Sequence, residues 1–245
     1  MRRSAVAFCL AIIALLLCGA CGSLPGRPRA DSRVIPPDQI VDFDLLYSRN
    51  CAGCHGTNGK GGAAISLADP VFLAIADDAA IRQTATKGVA GTPMPAFAQS
   101  AGGLLTEKQI DALVNGIRSW ATPAAFQNTA LPSYAAKAAG DPGRGATVYQ
   151  SFCSSCHGPQ GRGGKATSIV DGSYLALVSD QDLRMNVILG RPSLGAPDWR
   201  NDLPGRPLAE QEITDVVAWL TSQRPANPGQ PYPASTMNRG AGGAQ

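Results

Sequence analysis

Cys51-Ala52-Gly53-Cys54-His55-Gly56 returns 102 residues later as Cys153-Ser154-Ser155-Cys156-His157-Gly158. The same offset lays Gly59-Lys60-Gly61-Gly62 on Gly161-Arg162-Gly163-Gly164, Asp69 on Asp171, Ile81-Arg82 on Leu183-Arg184, and Gly88 on Gly190. One residue is then inserted. At an offset of 103, Ile110, Leu113, Val114 and Ile117 fall on Ile213, Val216, Val217 and Leu220. Self-similarity at a nearly fixed offset marks one structural unit used twice. The units are expected at 38–122 and 140–225, joined by an Ala/Pro linker over 123–139 and followed by a disordered Pro/Gly-rich tail over 226–245.

Each unit reads as all-α. Its last segment places apolar residues at i, i+3, i+4 and i+7, the stripe of an amphipathic helix. Thr106-Glu107-Lys108-Gln109 opens the first of these helices as a capping box. Phe43 to Arg49 and Ala146 to Phe152 carry helical potential just before each cysteine pair, and no stretch alternates as a strand. With 28 Gly and 19 Pro in 245 residues, the chain predicts small, loop-rich domains.

Seven cysteines are present: Cys9, Cys18 and Cys21 in the N-terminal apolar segment, and the two C-x-x-C pairs. The pairs leave no cysteine over for a disulfide framework in the two domains. A C-x-x-C pair alone suits a zinc knuckle or a redox dithiol, and four cysteines from two domains suit one shared zinc. Here a histidine follows each pair directly, and the chain has no other histidine. C-x-x-C-H is the attachment motif of haem c. Thiols at i and i+3 share one helical turn and reach the two vinyl groups of one porphyrin, and the adjacent imidazole binds the iron from below. A covalently held ring also supplies core to a domain too small to build a large one.

On these residues the chain resembles tandem diheme cytochromes c of the class I fold, over nearly all of 38–225. The resemblance implies two haem c groups. Cys51, Cys54, Cys153 and Cys156 would bind the rings, and His55 and His157 would be proximal iron ligands. It also implies a distal methionine from a downstream loop. The first domain offers Met94 in Gly91-Thr92-Pro93-Met94-Pro95-Ala96-Phe97, where flanking prolines forbid helix and stiffen the loop. A His/Met pair raises the reduction potential. The second domain departs from the pattern: Leu194-Gly195-Ala196-Pro197-Asp198-Trp199 puts Ala196 at that place. Alanine cannot ligate. Met185 aligns with Gln83 on a helical segment and reads as packing, Met237 lies in the tail, and Lys165 has no support. The second haem is expected to have a vacant, water-bound or unusual sixth position and a lower potential. Phe97 and Trp199 are expected to shield the haem edges, and Tyr47 and Tyr149 to pack near the rings. Arg191 is expected either to bond a propionate or to be solvated.

Arg2 and Arg3, the apolar run Ala5 to Leu17, and the small residues Gly19 and Ala20 have the layout of an export signal over 1–21. The run is short of the roughly 20 residues that span a membrane. Leu17-Cys18-Gly19-Ala20-Cys21 resembles a bacterial lipoprotein box, with Cys18 where that box carries an aliphatic residue. Lipid on Cys21, a tether over 22–37, and a place on the periplasmic face of a bacterial membrane are therefore expected. The net charge is +3, and the two domains carry −2 (8 acidic, 6 basic) and −1 (9 acidic, 8 basic). That excludes a nucleic-acid footprint.

The expected function is single-electron transfer in a respiratory chain, between a quinol-oxidising complex or dehydrogenase and a terminal oxidase. Resemblance implies a cytochrome bc-type reductase, a haem–copper oxidase or a dehydrogenase as partner. The run from Gly190 to Trp199 is similar to that of diheme cytochromes accompanying bc-type complexes. The rival is a haem enzyme, peroxidase-like or sulfur-compound oxidising, working at the open second haem. A gas sensor is a third reading, but no signalling domain is present.

Overall fold

The computed structural model describes residues 34–122, 126, 130–201, 203 and 205–226. The expected export signal, Cys21, most of the tether, and the tail beyond Ala226, with Met237, lie outside them. The chain divides into a unit up to Ile40 and a unit from Val41 onward. The described part of the first holds one helical turn, Pro37–Gln39. All that follows concerns the second.

Two similar sets of helices build it. The first has α1 (Phe43–Asn50), α2 (Ala52–His55), α3 (Pro70–Ile75), α4 (Asp78–Lys87) and α5 (Glu107–Ser119). The second has α6 (Pro142–Phe152), α7 (Ser154–His157), α8 (Gly172–Leu177), α9 (Asp180–Leu189) and α10 (Glu210–Ser222). Among the described residues there is no strand, only the isolated bridges Ala98–Leu105 and Arg191–Ala196.

Local chemistry sets the helix starts. Asp42 accepts from Leu45 N at 2.8 Å and Asp141 from Arg144 N at 2.7 Å. These caps satisfy amide donors that the first turn leaves orphaned. Asp69 and Asp171, aligned in the repeat, do the same work: each carboxylate accepts from two amides that open α3 and α8. The capping box is present at α5, where Thr106 Oγ1 accepts from Gln109 N at 3.3 Å and Gln109 Oε1 accepts from Thr106 N at 2.9 Å.

In each domain the helix entering the cysteine motif packs on the last helix. The stripe Ile110, Leu113, Val114, Ile117 is buried, as are Ile213, Val216, Val217 and Leu220. Each fully buried aliphatic of this size contributes roughly 1.5–3 kcal/mol. The helix pairs approach closely at a glycine, but on opposite partners. A β-carbon on Gly116 of α5 would sit 2.0 Å from the Phe43 ring, and one on Gly145 of α6 2.0 Å from Asp215 O.

An arginine then ties the last helix to the α3–α4 corner. Arg118 donates to Leu73 O (2.5 Å), Ala76 O (2.7 Å) and Asp78 (2.7 Å). Arg224 donates to the equivalent set: Leu175 O (3.1 Å), Val178 O (2.7 Å) and Asp180.

The linker is seated rather than loose where it is described. Arg184, 2% exposed, donates to Ser133 O, Tyr134 O and Thr214 Oγ1 and pairs with Glu210 at 2.5 Å. Glu210 in turn accepts from Ser133 N at 3.0 Å. The Tyr134 ring meets Phe72 of α3 edge-on at 6.5 Å, and α9 packs against α3. Both domains are therefore held in one unit.

Candidate functional site

The cysteine motifs are built alike to within a few tenths of an ångström. Cys51 ends α1 and opens α2, so Cys51 and Cys54 occupy one helical turn: Cys54 N donates to Cys51 O at 3.2 Å and His55 N to the same oxygen at 3.0 Å. Cys156 N and His157 N repeat both bonds to Cys153 O at 3.2 and 3.0 Å. Each turn thus offers paired sulfurs with the imidazole next in line.

A wrap of loop then fixes each ring. Ala64 N donates to Cys54 O at 2.9 Å, and Ile65 O lies 2.8 Å from His55 Nδ1. In the second domain Ala166 N donates to Cys156 O at 2.9 Å, and Thr167 O lies 2.8 Å from His157 Nδ1. A carbonyl can only accept, so Nδ1 carries the proton and Nε2 keeps its lone pair for a metal. Burial lowers the pKa of His55, which the bond to Ile65 O opposes, and this favours the neutral, ligating form.

The Cys51 thiol lies far from the thiolate that a redox dithiol uses. Burial pushes the Cys51 thiol up to about 11, and neighbouring Cys54 adds to the shift. A redox-reactive cysteine has the opposite shift. Among the described residues no three His, Cys, Asp or Glu side chains converge on one point, so a four-cysteine zinc cluster is not assembled. The donor set present, two sulfurs and one imidazole on a turn, occurring twice, fits haem c.

Tyr47 and Tyr149 do more than pack. Tyr47 OH donates to Gly56 O at 3.0 Å, and Tyr149 OH donates to Gly158 O. Each pins the residue that follows the histidine. Burial, with Cys51 second, raises the Tyr47 hydroxyl to about 12, so it remains a donor. A tryptophan backs each ring. Trp120 meets Tyr47 edge-on at 5.0 Å, and Trp219 stacks on Tyr149 at 4.1 Å.

The downstream loops share one register. Val89 N donates to Met94 O at 3.0 Å, and Arg191 N donates to Ala196 O at 2.9 Å. Leu105 N bonds Phe97 O and Leu208 N bonds Trp199 O, both at 2.8 Å. Gly88 (φ 66°) and Gly190 (φ 60°) press on these loops: a β-carbon would lie 2.6 Å from Met94 O in one and 2.8 Å from Ala196 O in the other. Ala196 therefore stands where Met94 stands. Met94 is half-buried between its prolines, with its amide donating to Thr92 Oγ1 at 3.2 Å.

The other methionine and lysine read as follows. Met185 is buried at 1% exposure in the α9 core. Lys165 is exposed on the loop that braces His157. Trp199 is buried beneath the Arg200 guanidinium, 4.8 Å above its ring. Phe97 is half-buried. Arg191 donates to Ala63 O at 2.7 Å and Gly62 O at 2.6 Å, both in the first domain.

Both halves of the chain are similar to known proteins. Residues 38–115 match the family model described as cytochrome c oxidase, cbb3-type, subunit III, and residues 143–224 match the cytochrome c model. A curated relative, the cbb3-type cytochrome c oxidase subunit CcoP of Azospirillum brasilense, is 30% identical over 175 residues, covering 64% of this chain. The match spans 54% of that relative's length, about half of it. A chain of the reducing HAO-like protein complex of Kuenenia stuttgartiensis aligns over 79% of this chain and 100% of its own, with 18% identity and a TM-score of 0.45. No helix among the described residues is long and apolar enough to cross a membrane. Twice-built attachment turns and family models on both halves lead to one conclusion: the chain belongs to the diheme cytochromes c, with two tandem class I domains and a haem c in each.

Proposed function

We propose that this protein is a two-centre electron relay in a respiratory chain, passing single electrons between a quinol-oxidising complex or dehydrogenase and a membrane haem–copper oxidase. Bound haem supplies a one-electron iron couple. The chain's residues hold it in place. Cys51 and Cys54 would anchor the first ring, and His55 and Met94 would hold its iron. Cys153 and Cys156 would anchor the second and His157 would hold its iron, with Ala196 at the place that Met94 has in the first domain. The observation that carries this reading is the pair of matched attachment turns, held within one packed unit by Tyr134 and Arg184. Fixed, braced ligands limit the reorganisation that accompanies electron transfer. The likeness to an oxidase subunit supports the choice of acceptor.

The proposed domain limits are 38–122 and 140–225, with lipid on Cys21 and the tether of residues 22–37 keeping them at the periplasmic face of the membrane. The enzyme reading finds little support around Ala196. Asp198, the nearest carboxylate in the loop, is engaged by Arg200 and Asn201. Burial would raise its pKa, but the Arg200 bonds outweigh this and hold it low, which makes it a poor base.

The test is a redox titration of the exported diheme protein followed by stopped-flow mixing with a reduced donor and with oxidase-containing membranes. Two one-electron waves and rapid reoxidation by the membranes are expected. Slow exchange with membranes, combined with multiple turnovers on peroxide or a reduced sulfur compound, would replace the relay with an enzyme.

A further inference from the structure

Arg191 belongs to the second domain, yet its fork closes on the first. Its own backbone frames the loop carrying Ala196, through Arg191 N to Ala196 O at 2.9 Å and Ala196 N to Arg191 O at 3.1 Å. Its guanidinium grips the carbonyls of Gly62 and Ala63 at 2.6 and 2.7 Å. Those two residues begin the wrap that bonds Cys54 O through Ala64 N and His55 Nδ1 through Ile65 O. Gly62 lies so close to the motif that a β-carbon on it would sit 2.1 Å from Cys54 O. A single side chain therefore spans from the open-loop side of one centre to the histidine brace of the other. Val89, the counterpart of Arg191 in the first domain, is apolar and cannot repeat the grip. The link runs one way only.

We propose that Arg191 is a positioning residue that clasps the second domain's Ala196 loop to the first domain's histidine brace and sets the redox poise of the first centre. The proposal rests on the two-centre relay reading. Its physical basis is charge and geometry together. An arginine is a permanent cation. A fixed positive charge near a centre favours the form with one more electron, so it raises that centre's potential. The second-domain charge that acts on His55 is that of Asp182, a carboxylate held in the Ser179 cap. Neutral substitution thus lowers the first centre's potential, and a lysine restores the charge without the two-pronged grip.

The experiment uses the full diheme protein with R191Q, R191M and R191K, and K108Q as an exposed-charge control. Both midpoint potentials are read by spectroelectrochemistry and the iron environments by electron paramagnetic resonance. Either neutral variant should shift the first centre's reduced-to-oxidised ratio at fixed potential roughly three- to tenfold toward oxidised, a tenfold change being 59 mV for one electron. R191K should recover most of that shift, and K108Q should show none. A shift confined to the second centre would make Arg191 a local partner of that haem and overturn the clasp. No shift at either centre, or the same shift in K108Q, would reduce it to an ordinary surface contact. The relay reading fails separately, if the unaltered protein does not show two waves.

Discussion

Replacing Ala196 by methionine should turn the second centre into a copy of the first. The structure sets the terms. The bridging bond is 3.0 Å at Met94 and 2.9 Å at Ala196, and the glycine pressing on each loop has φ of 66° and 60°. The backbone at 196 is thus already where a ligating methionine would start, and no loop movement has to be offset against iron–sulfur bonding. Pro197 supplies the stiffness that Pro95 supplies in the first domain, although Gly195 replaces Pro93 and gives back some freedom. Axial ligands move haem potentials over a range of about 0.8 V, and methionine moves them upward. A gain on the order of 100 mV is expected, roughly a fiftyfold change in the reduced-to-oxidised ratio at 59 mV per tenfold. Electron paramagnetic resonance of the oxidised protein should show one low-spin His/Met species before the change and two after it, and spectroelectrochemistry should show the lower wave rising. Two low-spin His/Met signals in the unaltered protein would refute the reasoning, because some residue other than Ala196 would then be ligating.

Four other outcomes follow from the fold. Arg184→Met removes a buried cation that serves Ser133, Tyr134, Thr214 and Glu210; leaving the buried acceptors without their donor costs about 1–3 kcal/mol, so the melting temperature should fall by several degrees. Tyr149→Phe strips the hydroxyl from Gly158 O and should cost about 1 kcal/mol in denaturant unfolding, with little change in colour. Asp215 is held at about 2, first by its Arg144 bond. Its folded pKa lies below the unfolded value near 3.8, so its contribution is complete above about pH 4 and fades as pH falls through 2. In D215N that acid-side slope of stability against pH should flatten. Gly145→Ala drives a methyl to 2.0 Å from Asp215 O, well inside ordinary contact, and overpacking of this kind costs about 1–3 kcal/mol.

Much of this was legible in the residues. The repeat gave both domains, the C-x-x-C-H runs gave the attachment turns, and the Thr106 box and the apolar stripe gave α5 and α10. Ala196 was readable as the missing methionine because the offset stays at 102 through that loop. What escaped sequence reading was chemistry that depends on reach. Arg118 and Arg224 bind equivalent carbonyls, yet they lie 106 residues apart rather than 103, so no alignment pairs them. Trp120 and Trp219 back equivalent tyrosines from different turns of their helices. Tyr47 and Tyr149 align, but alignment shows a ring and not the carbonyl its hydroxyl meets. Arg191 takes its role from contacts with the first domain and Arg184 from contacts with the linker, about 130 and 50 positions away in turn, where local pattern carries no information. The expectations for 1–21 and for Cys21 concern residues outside those described.

Covalent capture of two porphyrins is tested most directly by acid–acetone extraction of the purified protein, followed by a pyridine haemochrome count on what stays with the polypeptide. Two haems per chain should resist extraction. Colour lost wholly to the solvent, or a mature protein holding zinc and no iron, would contradict the assignment of Cys51, Cys54, Cys153 and Cys156.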